Sequence, residues 1–248
     1  MKKIGIIGGM SFESTLLYYE RINRQINKRM GGFASADLVL RSVNFEEYQN
    51  LLGKSWSLAS TALNMEGIPL INDFNCDCVA VASNMMHRAT DLLEKNIISR
   101  GKKFVHIGDC LGERCNEENI RRVVLLGTKT TMTEDFLKKR LKRRGVEVVD
   151  NFTADTIGRI NKIIFSELCH GERHLSSMMF LRELCQDIAS LKTDGEKRAI
   201  DGIILGCTEL NLLLGDSFIE WMDHFFNGFK ILDSTQVHIN KLVELSLS

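Results

Sequence analysis

Apolar residues in this chain come in two rhythms that alternate from one end to the other. Short runs, Ile4 to Ile7, Leu38 to Leu40, Cys78 to Ala82, Phe104 to Ile107, Val123 to Leu126, Gly202 to Leu205 and Lys230 to Leu232, read as strands, the first of them buried. Longer segments with helical spacing lie between them. The first carries Leu16, Tyr19, Ile22, Ile26 and Met30 and stops at Gly31-Gly32. Others cover Ser57 to Met65 (ahead of Pro69), a helix opened by Ser83-Asn84, one capped by Thr133-Glu134-Asp135, and helices near Thr156 to Cys169, Ser176 to Leu191 and Thr235 to Leu245. Strict alternation of strand and helix predicts the α/β class with parallel sheets flanked by helices.

The pattern restarts half-way. Strand-Gly8-Gly9-Met10-Ser11 in the first half corresponds to strand-Gly127-Thr128 in the second, and strand-Ser83-Asn84 to strand-Cys207-Thr208. The offsets are 119 (127 − 8) and 124 (207 − 83), nearly one constant period. This predicts two pseudo-symmetric α/β domains with the active site in the interdomain cleft. The polar stretch Gly112 to Asn119 is the expected crossing, which gives 1–113 plus 214–248 as the first domain and 114–213 as the second. Ligands of open α/β sheets bind at the carboxyl ends of strands, where helix N-termini favour anions, so a carboxylate is the expected guest.

Composition narrows the function. In 248 residues, 44% hydrophobic, Lys plus Arg equals Asp plus Glu at 32 each, so no global field draws nucleic acid or an anionic membrane. The one basic cluster, Lys138 to Arg144 before Gly145, reads as a solvated helix end complementing the macrodipole. The N-terminal apolar run is too short for a signal-peptide core, and no segment approaches the roughly 20 apolar residues that cross a bilayer, so a cytoplasmic protein is expected. Seven cysteines are an odd set that argues against a disulfide framework, and Cys76 and Cys78 have no partners at zinc-site spacing, so no metal is expected. Gly5-Ile6-Ile7-Gly8-Gly9 lacks the G-x-G-x-x-G spacing, and Arg41-Ser42-Val43 stand where a dinucleotide site needs an acid.

Four segments carry a specific likeness. Ile4 to Thr15 (IGIIGGMSFEST), Ser83-Asn84-Met85-Met86-His87, Leu125-Leu126-Gly127-Thr128 with Thr131-Met132, and Ile204 to Glu209 (ILGCTE) resemble segments of the aspartate/glutamate racemase family and occur in the same order, and the chain resembles that family over nearly its whole length. The resemblance implies two α/β domains, often a homodimer, no cofactor, and an acidic amino acid as substrate. Inverting a stereocentre through a planar carbanion needs an acid and a base on opposite faces, each able to play either part, and the family uses two cysteines for this. Cys207 matches the second, at a strand-to-helix turn expected to favour its thiolate. The place of the first is taken by Ser83, after Ala82, and a serine hydroxyl without a partner is a poor base.

By the resemblance, Cys207 and Ser83 are the catalytic candidates, and Met10, Ser11, Asn84, Met85, Thr128, Thr131 and Thr208 line the substrate. Met85 replaces the family's usual threonine, and no arginine after the second strand clearly matches the one that binds a side-chain carboxylate; Arg41 is the nearest substitute. His87 stands one turn beyond Ser83, as a packing residue or as a base acting on the serine. Cys169 is expected at the edge of the cleft. These features predict a cofactor-independent racemase of aspartate or glutamate, one-sided because one thiol remains. The alternatives are a single-cysteine decarboxylase of the same fold, for which one acid suffices, and a binding homologue without catalysis.

Overall fold

The structure is a computed structural model, and it describes residues 1–150, 152–191 and 199–248. It divides into two compact units, Met1–Cys110 with Thr235–Ser248, and Leu111–Ser234.

The first unit runs β1 (Ile4–Gly8), α1 (Phe12–Met30), β2 (Leu38–Ser42), α2 (Phe45–Lys54), α3 (Trp56–Asn72), β3 (Cys78–Val81), a 3₁₀ turn (Met85–Ala89), α4 (Asp91–Ile98), β4 (Lys103–Phe104) and the start of α5 (Ile107–Glu117). Its parallel sheet has the order β2-β1-β3-β4. The second unit continues with β5 (Arg122–Gly127), α6 (Lys129–Thr133), α7 (Asp135–Arg143), β6 (Glu147–Val148), α8 (Ala154–Ser166), a second 3₁₀ turn (Leu168–His170), α9 (Leu175–Ser190), β7 (Gly202–Gly206), α10 (Thr208–Leu214), α11 (Asp216–Phe225) and β8 (Lys230–Asp233). Its sheet has the order β6-β5-β7-β8, again parallel. Helix α12 (Ser234–Leu247) closes the chain.

Strands β1, β3 and β7 are buried along their whole length, which is why their sequences are unbroken apolar runs: a parallel sheet covered on both faces leaves no solvent side for polar residues. In the first unit Ile4, Ile6, Cys78 and Ala80 pack against Tyr18, Ile22 and Ile26 of α1 and Ile239, Leu242 and Val243 of α12. In the second, Val124, Leu126, Ile203 and Leu205 meet α8, α9 and α11.

Several expectations are corrected. The domain boundary expected at 213/214 lies at 234/235, because β8 hydrogen-bonds to β7 and belongs to the second sheet. The polar stretch from Gly112 is mostly the body of α5 rather than a linker. Helix α1 turns a different face inward: Ser14, Thr15, Tyr18, Ile22 and Ile26 are buried, while Leu16, Tyr19 and Met30 are exposed. Gly8 decides this, since a Cβ there would meet Thr15 at 2.6 Å, so the first turn of the helix lies directly on β1. Helix α3 runs through Pro69 to Asn72; the lost backbone donor is outweighed by burying Gly67, Leu70 and Ile71. The strand expected over Phe104 to Ile107 ends at Phe104, and the Gly108 amide donates to His106 Nδ1 at 3.0 Å where α5 begins. No helix among the described residues is long and apolar enough to cross a membrane.

Candidate active site

The strand register places the two repeated turns in equivalent positions. Ile7 pairs with Val81 in the first sheet and Leu126 with Leu205 in the second, offsets of 119 (126 − 7) and 124 (205 − 81), so Ser83 and Cys207 occupy the same topological place, each in its own unit.

In the first unit the carboxyl ends of β1 and β3 bring together Met10, Ser11, Ser83, Asn84 and Met85, all buried. Ser11 caps α1, accepting from the Ser14 amide at 3.3 Å, and Ser14 Oγ donates to the Ala82 carbonyl at 3.0 Å, which ties the two turns. After Asn84 the chain makes a 3₁₀ turn instead of the expected α-helix, and His87 explains it. The Ile107 amide donates to His87 Nε2 at 3.2 Å, so Nδ1 carries the ring hydrogen and donates to the Ser83 carbonyl at 2.8 Å. Both ring nitrogens are engaged by backbone, so His87 is a structural residue and not a base for the Ser83 hydroxyl. Behind it lie His106, with ring centroids 4.4 Å apart, and His238 at 5.7 Å. His238 receives the Tyr18 hydroxyl at 2.8 Å and donates to the Val105 carbonyl at 2.9 Å; burial lowers its pKa to about 4.

Arg41, the substitute for a substrate-binding arginine, is exposed and held by both carboxylate oxygens of Glu66. Its charge is therefore already matched within the first unit.

In the second unit the carboxyl ends of β5 and β7 lie side by side with Gly127 opposite Gly206. A Cβ on Gly127 would meet the Gly206 carbonyl at 2.8 Å, and one on Gly206 would meet Thr131 at 3.0 Å, so only glycines let these turns approach. Thr128 caps α6 through the Thr131 amide at 3.3 Å, and the two hydroxyls share a bond of 3.0 Å. Thr131 is fully buried, its hydroxyl on Thr128, and shapes the turn from behind. Cys207, 8% exposed, sits between β7 and α10 next to Thr208.

The expected thiolate is not what this turn favours. Helix α10 has only seven residues, with Glu209 in its first turn, and Cys207 Sγ donates a hydrogen bond of 3.1 Å to Glu209 Oε2. Burial first, then the charge and hydrogen bond of Glu209, and then the Cys169 thiol push the Cys207 pKa well above the usual thiol value; the Glu209 backbone amide pulls the other way and is outweighed. Sulfur therefore rests as the thiol. The sequence signal for this contact is the Cys-x-Glu spacing at a helix start, because a side chain in the first turn can fold back on the capping residue. Cys169, in the second 3₁₀ turn, packs against the same cluster as Cys207, and burial raises its pKa to about 12.

The other cysteines are elsewhere: Cys76 and Cys78 before and at the start of β3, Cys110 and Cys115 in α5, Cys185 in α9. The basic end of α7 is a surface of intramolecular pairs, Lys138 with Asp150 at 2.7 Å and Lys139 with Asp135 at 3.3 Å. Among the described residues no group of three or more His, Cys, Asp or Glu side chains could hold a metal ion.

The family model described as Asp/Glu/Hydantoin racemase matches residues 7–242, from the end of β1 into α12. The chain belongs to the Asp/Glu/hydantoin racemase family. Two solved structures are similar over their full lengths and that of this chain: an aspartate racemase homologue from Pyrococcus horikoshii, 32% identical with a TM-score of 0.79, and a candidate Asp/Glu racemase from Yersinia pestis, 30% identical with a TM-score of 0.84. A Picrophilus torridus aspartate racemase shares the fold at 17% identity and a TM-score of 0.65, over 99% of this chain and 94% of its own. The two four-stranded parallel sheets flanked by helices are the architecture of this racemase family.

Proposed function

We propose that the protein is a cofactor-independent racemase of an acidic amino acid, aspartate or glutamate, working one-sidedly through Cys207. The supporting observation is positional: of the seven cysteines, Cys207 alone stands between the carboxyl end of a central strand and a following helix, inside the racemase signature, while the equivalent place after β3 holds Ser83. Cys207 exchanges the α-proton of one enantiomer. The opposite face is served by a group that is not a thiol, Ser83 or an ordered water, so inversion is slow relative to exchange. Met10, Ser11, Asn84, Met85, Thr128 and Thr208 are assigned to holding the substrate, with Thr131 supporting Thr128. A cytoplasmic homodimer belongs to the same reading; the exposed Phe12, Leu16 and Tyr19 on one face of α1 support a second copy, and light scattering tests it.

Proton NMR in deuterated buffer, following α-proton loss from the L and D forms of aspartate and glutamate, tests the proposal with Cys207→Ser as control. Exchange from one enantiomer that depends on Cys207 supports it. Absence of exchange from all four rejects it and favours the decarboxylase or binding alternatives, of which the first draws on the protonated resting state of Cys207, already suited to protonating a carbanion.

A further inference from the structure

Cys207 presents a difficulty for a base. Its side chain belongs to the apolar core cluster that also includes Ile203, Leu205 and Leu210, and a thiolate formed by losing the proton to solvent would stand against the Glu209 carboxylate as a second buried negative charge. The titratable groups that act on the sulfur are Glu209 and, from the 3₁₀ turn packed on α10, Cys169; neither is a cation. From α9, Arg182 reaches α10 only at its far end, donating to the Leu214 carbonyl at 2.7 Å. A route to the thiolate that leaves the net charge of the pair unchanged follows from the contact itself.

We propose that Glu209 is the proton acceptor of Cys207, so that the two act as a pair holding one proton. The hydrogen on sulfur passes along the 3.1 Å bond to Glu209 Oε2 and the bonding electrons remain on sulfur. The thiolate then takes the substrate's α-hydrogen as a proton, reforming S–H and leaving the electron pair on the α-carbon. The pair carries a charge of minus one before and after the first transfer and is neutral after the second, when the charge lies on substrate; return of the proton runs the steps backwards. Glu209 is 5% exposed, so its carboxylate is held against the sulfur inside the unit. It acts through Cys207 and is a positioning residue in this scheme, which rests on the racemase reading.

The test is the pH profile of α-proton exchange for wild type, Glu209→Gln and Glu209→Asp. Wild type is flat from neutral to mildly alkaline pH, because the pair always supplies its own acceptor. Glu209→Gln loses about 100-fold near neutrality and climbs about tenfold per pH unit, since sulfur must then lose its proton to solvent. Glu209→Asp keeps the flat shape at a lower rate. A flat profile in Glu209→Gln overturns the proposal, whatever its absolute rate. The ultraviolet absorbance of the thiolate, taken as the difference from the matching Cys207→Ser protein, gives a readout without substrate: the Cys207 midpoint falls in Glu209→Gln, and an unchanged midpoint overturns the proposal. If wild type exchanges nothing, the racemase reading fails and the thiolate midpoint alone decides whether the pair is coupled. Should Glu209→Gln not fold, infrared difference spectra of wild type against Cys207→Ser report the carboxylate directly; a band moved by removing the sulfur supports the pair, and an unmoved band overturns it.

Discussion

The turn after β3 and the turn after β7 hold the same place in two sheets of the same strand order, yet their polar groups are used differently. After β3, His87 fixes the Ser83 carbonyl, its ring nitrogens satisfied by main chain. After β7, the side chain of Cys207 is itself the bonded group, and its partner is a carboxylate. The first turn spends its titratable side chain on backbone geometry, and the second keeps a mobile proton. A repeated scaffold can thus hold the position of a reacting atom constant while one or two side chains per turn decide whether that position has chemistry.

The contrast can be broken most sharply at the sulfur. Cys207→Ser should reduce α-proton exchange by about 10² to 10⁴-fold, the range for loss of a positioned acid or base, with the melting temperature little changed. Exchange that survives would mean the two turns are alike after all.

A second difference concerns protonation of the framework. The first unit buries His87, His106 and His238, whereas His170, His174 and His224 of the second are exposed. His238 has a folded-state pKa of about 4 against an ordinary 6.5, so the unfolded chain binds the extra proton first as pH falls. Its contribution is complete above about pH 6.5 and is lost progressively down to about 4, amounting to about 3 kcal/mol. Urea unfolding at pH 7 and pH 5 should show about 2 kcal/mol of this loss, and His238→Gln should flatten the dependence. A stability that does not change between those pH values would remove this distinction between the units.

Installing the missing thiol sharpens the comparison from the other side. Ser83→Cys should raise interconversion of enantiomers by about tenfold or more relative to α-proton exchange, because both faces then have an acid-base group. Chiral chromatography of the products measures it. The smallest effect belongs to Tyr18→Phe, which removes the hydrogen bond to His238 Nδ1 and should cost about 1 kcal/mol with no change in exchange. Calorimetry distinguishes this from no effect.

Much of the scaffold was legible in the sequence. Strands β1, β3, β5 and β7 announced themselves because central parallel strands are apolar throughout, and the near-constant offset between Gly8 and Gly127 and between Ser83 and Cys207 reappears as the register of two sheets. The edge strand β4, two residues long, ends at Phe104 where the apolar run continues to Ile107, and β6, equally short, leaves no pattern long enough to read. Helix α1 was found but with the wrong face inward, because its apolar residues lie on both sides of Ile22 and the choice between them was made by Gly8 and Thr15 meeting across two elements.

Local pattern by itself determined the α/β class, the internal repeat and the place of Cys207, since burial on both faces of a strand and the need for glycine at a tight turn act within a few residues. Tertiary structure alone decided that β8 belongs to the second sheet, that His87 is a structural residue, that Arg41 is matched by Glu66 and that Cys207 rests as a thiol against Glu209. Each of these depends on which buried polar group finds which partner, and in a low-dielectric interior that pairing, more than the identity of the residue, sets where a proton resides.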